Sequence, residues 1–172
     1  KVSGQCSQAY LKANRMLGLI KRTIVHKDPD IMVRLYKTLV RPHVEYCTAA
    51  WSPYYQKDKD LIEKIQHRFT KMIPNISHLS YEERIEILHL WTLEERRNRA
   101  DLIQVFKMYS GASAPGFGDI CEVDSRGRTR GHSLKLVKHR SSTLVRQMFF
   151  SERVVNNWNR LSAETVASTS LE

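Results

Sequence analysis

Apolar residues recur every three or four positions from Cys6 to Ile24, where Cys6, Tyr10, Ala13, Leu17, Ile20 and Ile24 mark one face of a helix. Lys12, Arg15 and Arg22 fall on the opposite side. Asp28 followed by Pro29 reads as an N-cap acid ahead of a proline at the first helical position, and Asp30 adds negative charge near the positive helix start. The helix beginning there places Ile31, Leu35 and Leu39 on its buried stripe, widened by Met32 and Tyr36. Arg34, Lys37 and Arg41 then lie within about 60° of one another at roughly 100° per residue, forming a narrow basic ridge.

Pro42 removes a backbone donor, so His43 to Trp51 should be a kinked continuation or a separate short helix ending before Pro53. Leu61, Ile62, Ile65, Phe69, Met72 and Ile73 form the apolar face of the next helix, which Pro74 ends. Ser80 with Glu83 and Thr92 with Glu95 are two capping boxes, each marking a further helix start. The second of these helices carries Leu93, Ala100, Ile103, Phe106 and Tyr109 before Gly111, a C-cap residue. Residues 111–131 hold five of the seven glycines and read as a linker. His132 to His139 has partial alternation and implies a short strand, after which Phe149 to Leu161 returns to helical spacing through Val154, Trp158 and Leu161. The pattern predicts a mainly α fold, a bundle of about five to seven helices with a small C-terminal appendage holding a short strand pair. Its divisions are a helical bundle over 1–110, a Gly/Arg-rich linker over 111–131 and a basic segment over 132–172.

Charge sharpens this picture. The net charge is +10, and it is uneven: residues 1–41 hold nine Lys or Arg against two acids, residues 42–124 ten against thirteen, and residues 125–160 nine against one. Two basic surfaces therefore flank a nearly neutral helical body, the distribution expected for contact with phosphate backbones. In the second surface, Arg126, Arg128, Arg130, Lys135, Lys138 and Arg140 fall within 15 residues with glycines between them, which lets guanidinium groups approach phosphates closely. Phe149, Phe150 and Trp158 have the chemistry to stack on bases, although their helical spacing favours core packing.

Other chemistries are poorly supported. Cys6, Cys47 and Cys121 are odd in number and far apart, which argues against a disulfide framework and against zinc, and points to a reducing compartment, nuclear or cytoplasmic rather than secreted. The paired acids Asp28 with Asp30 and Asp58 with Asp60 stand where helices begin, so helix capping and dipole compensation explain them better than metal binding. No phosphate-cradling loop, nucleophile elbow or H-E-x-x-H motif occurs, and no metal or cofactor is expected. No apolar run approaches the roughly 18 residues needed to cross a bilayer, so no membrane partner is expected. The first residue is Lys1 rather than Met, which suggests a piece of a longer protein.

Five segments, in order, carry a resemblance. K-A-N-R-M-L-G-L-I-K-R at 12–22, R-L-Y-K-T-L-V-R-P-H-V-E-Y-C-T-A-A-W-S-P at 34–53, I-E-K-I-Q-H-R-F-T-K-M-I-P at 62–74, L-S-Y-E-E-R-I-E-I-L-H-L-W-T-L-E-E-R-R at 79–97 and F-F-S-E-R-V-V-N-N-W-N-R-L-S at 149–162 together span nearly the whole chain. They resemble the region after the palm in the endonuclease and reverse-transcriptase polyproteins of LINE-type, non-LTR retrotransposons. The resemblance implies a thumb and post-thumb region of an RNA-directed DNA polymerase, which grips template and primer behind the active site. It implies no activity of its own, because the family's Tyr-x-Asp-Asp box has no counterpart here and the chain contains no Asp-Asp pair.

The expectation is thus a non-catalytic module in which Lys12, Arg15, Arg22, Arg34, Lys37 and Arg41 contact a template-primer duplex and the 126–140 segment contacts RNA or DNA. Its other partners would be the upstream palm and endonuclease domains of the parent polyprotein. The alternative is a helical protein-interaction module retained from a retroelement.

Overall fold

The computed structural model describes residues 2–113, 116–125 and 131–168, and the chain divides into two compact units, Lys1–Arg97 and Asn98–Glu172. The division falls inside a helix, ahead of the glycine-rich stretch where the sequence pattern places a linker. The described residues are mainly helical, as the periodicity predicts, with the helices denser in the first unit than in the second.

In the first unit, α1 (Val2–Thr23) buries Cys6, Ala9, Ala13, Leu17 and Ile20, a face whose small residues at its N-terminal half let neighbouring helices approach closely. Its main neighbour is α4 (Gln56–Thr70), which contributes Ile62, Ile65 and Phe69, with Ile73 just beyond its end. Between them run α2 (Pro29–Leu35), a π turn (Tyr36–Val40) and α3 (Arg41–Glu45), followed by a turn ending at the buried Trp51. Asp28 caps α2 as expected, accepting from the backbone N–H of Asp30 and Ile31.

The stripe expected on this segment is corrected. Ile31 and Leu39 are exposed and Leu35 is half-buried, whereas Met32, Tyr36, Val40 and Val44 are fully buried. Met32 and Tyr36 belong to the expected stripe and become its centre, and it continues at four-residue spacing through Val40 and Val44; the π turn adds its extra residue only after Leu35 and so bears on the positions beyond it. The Tyr36 ring stacks on Phe69, with centroids 4.2 Å apart.

A 3-10 turn (Pro74–Ile76) leads to α5 (Tyr81–Ile87), whose Ser80–Glu83 capping box is formed in both directions. The Thr92–Glu95 box starts α6 (Leu93–Tyr109) in the same way. The apolar face expected on α6 is also corrected. Leu93 and Arg97 are buried in the first unit; in the second, Asp101, Val105 and Met108 are buried, Ala100, Ile103 and Phe106 are half-buried and Tyr109 is exposed.

The second unit continues through α7 (Phe117–Ile120), α8 (Leu144–Gln147), α9 (Phe150–Arg153), α10 (Val155–Asn159) and α11 (Ala163–Val166). The strand expected at 132–139 reduces to one antiparallel bridge between Val123 and Leu136, with Asp124 N–H donating to Lys135 and Val137 N–H to Glu122. Asn159 takes up the polar groups of Leu136 from the side, accepting from its N–H at 2.8 Å and donating to its carbonyl at 2.9 Å. Trp158 is 1% exposed and donates its indole N–H to the Leu134 carbonyl. No helix among the described residues is long and apolar enough to cross a membrane.

Candidate nucleic-acid interface

Lys12, Arg15 and Arg22 are exposed on α1, away from its buried face. Arg15 and Arg22 are seven residues apart on one side of the helix, about 10.5 Å at 1.5 Å per residue. Gly18 lies between them, and the Arg22 Nη1 sits 3.5 Å from where a side chain on Gly18 would begin. Arg34 and Lys37 are likewise exposed, at the end of α2 and in the π turn.

Arg41 departs from the expected ridge. The inserted residue of the π turn swings it away from Arg34, and its side chain is only 18% exposed, with Nε 3.4 Å from Glu45. Glu45 is shared with Arg96, whose Nε makes a short hydrogen bond and whose Nη2 donates at 3.1 Å to the same carboxylate. Burial pulls the Arg41 guanidinium below its usual range, while the bond to Glu45 raises that of Arg96. Arg41 is part of a structural ion triad.

The arrangement that sequence reasoning missed is a groove of about 490 Å³ in the first unit, lined by Lys21, Lys27, Arg68 and Lys71 together with Asn14, Leu17, Gly18 and Met72. Lys21 comes from the last turn of α1, Lys27 from the connection to α2, and Arg68 and Lys71 from the end of α4. Arg68 is held in place: its Nη1 donates to Asn14 Oδ1 at 2.7 Å, and its guanidinium lies 5.8 Å from the Tyr10 ring centroid. Among the described residues no carboxylate lines the groove. Part of the charge answers the helix ends, since α1 and α4 both finish here and a helix C-terminus carries roughly half a negative charge. Two such ends offset about one of four positive charges and leave about three facing an open cleft. The local signal was present in the basic last turns of both helices. Their juxtaposition was not, because it depends on packing between segments some 50 residues apart.

In the second unit, Lys138 and Arg140 are exposed and Lys135 is half-buried in the bridged stretch. Arg126, Arg128 and Arg130 lie outside the described residues. Phe150 and Trp158 are buried in the core, but Phe149 is 54% exposed with the Arg146 guanidinium 5.5 Å from its ring centroid. His139 bridges two acids, its Nε2 2.9 Å from Glu122 and its Nδ1 3.2 Å from the buried Glu152, and both carboxylates raise its pKa.

Of the acid pairs, Asp28 caps α2 with Asp30 in its first turn, whereas neither Asp58 nor Asp60 caps α4. Asp58 and Asp60 sit in and after the first turn of α4, Asp58 buried and accepting from Ser3 Oγ at 2.6 Å, Asp60 accepting from Gln56. Among the described residues no group of three His, Cys, Asp or Glu is arranged to hold a metal ion. Comparison with family models, with curated proteins and with solved structures gives no match for this chain.

Proposed function

We propose that this chain is a non-catalytic nucleic-acid-binding module, the thumb and post-thumb part of an RNA-directed DNA polymerase of the LINE retrotransposon type. The observation that carries the binding role is the groove of Lys21, Lys27, Arg68 and Lys71 between the ends of α1 and α4, with no carboxylate among its described lining residues. Cations crowded together repel one another, and a surplus of about three positive charges is best offset by a polyanion. Exposed Arg15 and Arg22 extend the charge along α1 beyond the groove, which suits a repeating phosphate backbone better than a single small anion. Contacts of this kind position a duplex without reading its bases, so little sequence preference follows.

The parentage rests on the five ordered segments. The palm and endonuclease of a parent polyprotein are the proposed covalent neighbours, in the nucleus or cytoplasm, and the polymerase chemistry belongs to that palm. A second reading, a protein-interaction module, is favoured by one observation: Ile31 and Leu39 are 52% and 40% exposed.

Fluorescence anisotropy with a short RNA–DNA hybrid separates the two. Replacing Lys21 and Lys71 by alanine should weaken hybrid binding about ten-fold or more at roughly 100 mM salt, and replacing Ile31 and Leu39 by serine should leave it unchanged. Absence of hybrid binding by the parent chain would overturn the nucleic-acid reading.

A further inference from the structure

Phe149 and Phe150 are adjacent in sequence and opposite in fate: Phe150 is 6% exposed and Phe149 is 54% exposed. Phe149 stands at the corner between α8 and α9, with an extended backbone as the residue preceding α9. That corner is fixed by hydrogen bonds on both sides. The Phe149 N–H donates to the Arg146 carbonyl at 3.1 Å, and its own carbonyl accepts from the N–H groups of Glu152 and Arg153 at 3.0 and 2.9 Å. Thr143 caps α8 through the Arg146 N–H, and Arg153 donates to the Met148 carbonyl at 3.2 Å. The ring is therefore presented outward from a pinned backbone, at little further ordering cost on binding.

The charges around it are mixed in space, since Arg146 shares a cavity with Asp119, Glu122 and Glu152, but the stretch that carries Phe149 is itself rich in cations. Between residues 132 and 160 Glu152 is the only acid. It is 2% exposed and occupied by the His139 N–H and ring, with Arg146 Nη2 3.8 Å away. Gln147 donates to the Ser141 carbonyl at 2.9 Å, which fastens the stretch carrying exposed Lys138 and Arg140 against α8. An outward aromatic ring, an arginine over it and lysine and arginine nearby make up the chemistry by which proteins hold unpaired bases: the ring takes a base face and the cations take the adjoining phosphates.

We propose that Phe149, with Arg146 and Arg140, is a stacking site for single-stranded nucleic acid, separate from the duplex groove of the first unit. Bases inside a duplex are already stacked, so the site selects unpaired strands. An anionic membrane surface would also meet exposed Val145 and Phe149, but α8 spans only Leu144–Gln147, too short for an inserting face, and Arg146 lies within the patch.

The test uses the whole chain, a labelled oligothymidylate and a duplex of equal length, with F149A, F149Y and K21A/K71A variants. F149A should lose about ten-fold or more in affinity for the single strand while duplex affinity stays within about two-fold, and F149Y should restore single-strand binding. K21A/K71A should show the opposite pattern, so a failed groove and a failed stacking site read differently. The proposal is overturned if F149A binds the single strand like the parent, if it loses single strand and duplex equally, or if Phe149 matters only for binding phosphatidylserine-containing vesicles.

Discussion

Tyr36 donates its buried phenolic hydrogen to Gln66 Oε1 at 2.9 Å, joining the π turn to α4 through the middle of the first unit's core. Gln66 passes the connection on, donating from Nε2 to the Tyr81 hydroxyl and to the Trp91 carbonyl, both at 3.0 Å. Tyr81 in turn makes a short hydrogen bond to Glu63, whose other oxygen accepts from the Leu93 N–H at 3.0 Å. Four segments are thus tied by one polar chain inside apolar packing. Such a chain fixes the packing arrangement because each missing link strands a buried partner.

Tyr36→Phe should therefore destabilise the first unit by about 1–2 kcal/mol, and Gln66→Leu by about 3 kcal/mol, since the latter leaves several partners unmet. Urea unfolding should show lower midpoints at unchanged slopes. A Gln66→Leu protein as stable as the parent would mean that the network adds nothing.

Glu45 holds Arg41 and Arg96, and all three side chains are less than a third exposed. Glu45→Ala leaves two cations facing each other and should cost about 2 kcal/mol. Arg41→Ala should change duplex affinity by less than about two-fold, because the charge is already neutralised within the fold. A large loss of duplex binding in Arg41→Ala would restore that residue to the binding ridge.

His139 and His67 respond to pH in opposite directions. The hydrogen bonds to Glu122 and Glu152 raise the His139 pKa above its ordinary 6.5, so its stabilising contacts are fully present below pH 6.5 and fade as pH rises through the raised value. Burial, then Arg84, lower the pKa of His67, which stacks on Tyr81 with ring centroids 3.5 Å apart. Its contribution is present above pH 6.5 and is lost as pH falls through the lowered value. Proton NMR titration should place His139 above 6.5 and His67 below it, and Glu122→Gln should move His139 downward while leaving His67 in place. A His139 midpoint at or below 6.5 would show that the pairing does not form in solution.

The fold was legible where local pattern and burial agree. The face Cys6, Ala13, Leu17 and Ile20 reads directly as a helix, and both capping boxes mark true helix starts. It was misread where polar residues do core work. Arg97 and Asp101 are 5% and 6% exposed on α6, and Gln66 and Thr70 are fully buried on α4, positions that hydropathy assigns to solvent. On α2 the chain buries Met32 and exposes Ile31, one position away from the expected stripe, and hydropathy does not separate these two neighbours. At the candidate site, the exposed cations of α1 were visible from the helical wheel, whereas the groove required knowing that Lys21 and Arg68 end up on one cleft. Phe149 was hidden by Phe150 and Trp158, because helical spacing groups all three as core.

The most direct test of the groove as a phosphate seat is the salt dependence of duplex binding. If its four cations each neutralise a phosphate, log Kd plotted against log salt should have a slope of roughly 3 to 4, and removing Lys21 and Lys71 should lower that slope by about 2. A parent chain whose duplex binding is insensitive to salt, or a double variant with an unchanged slope, would contradict the account.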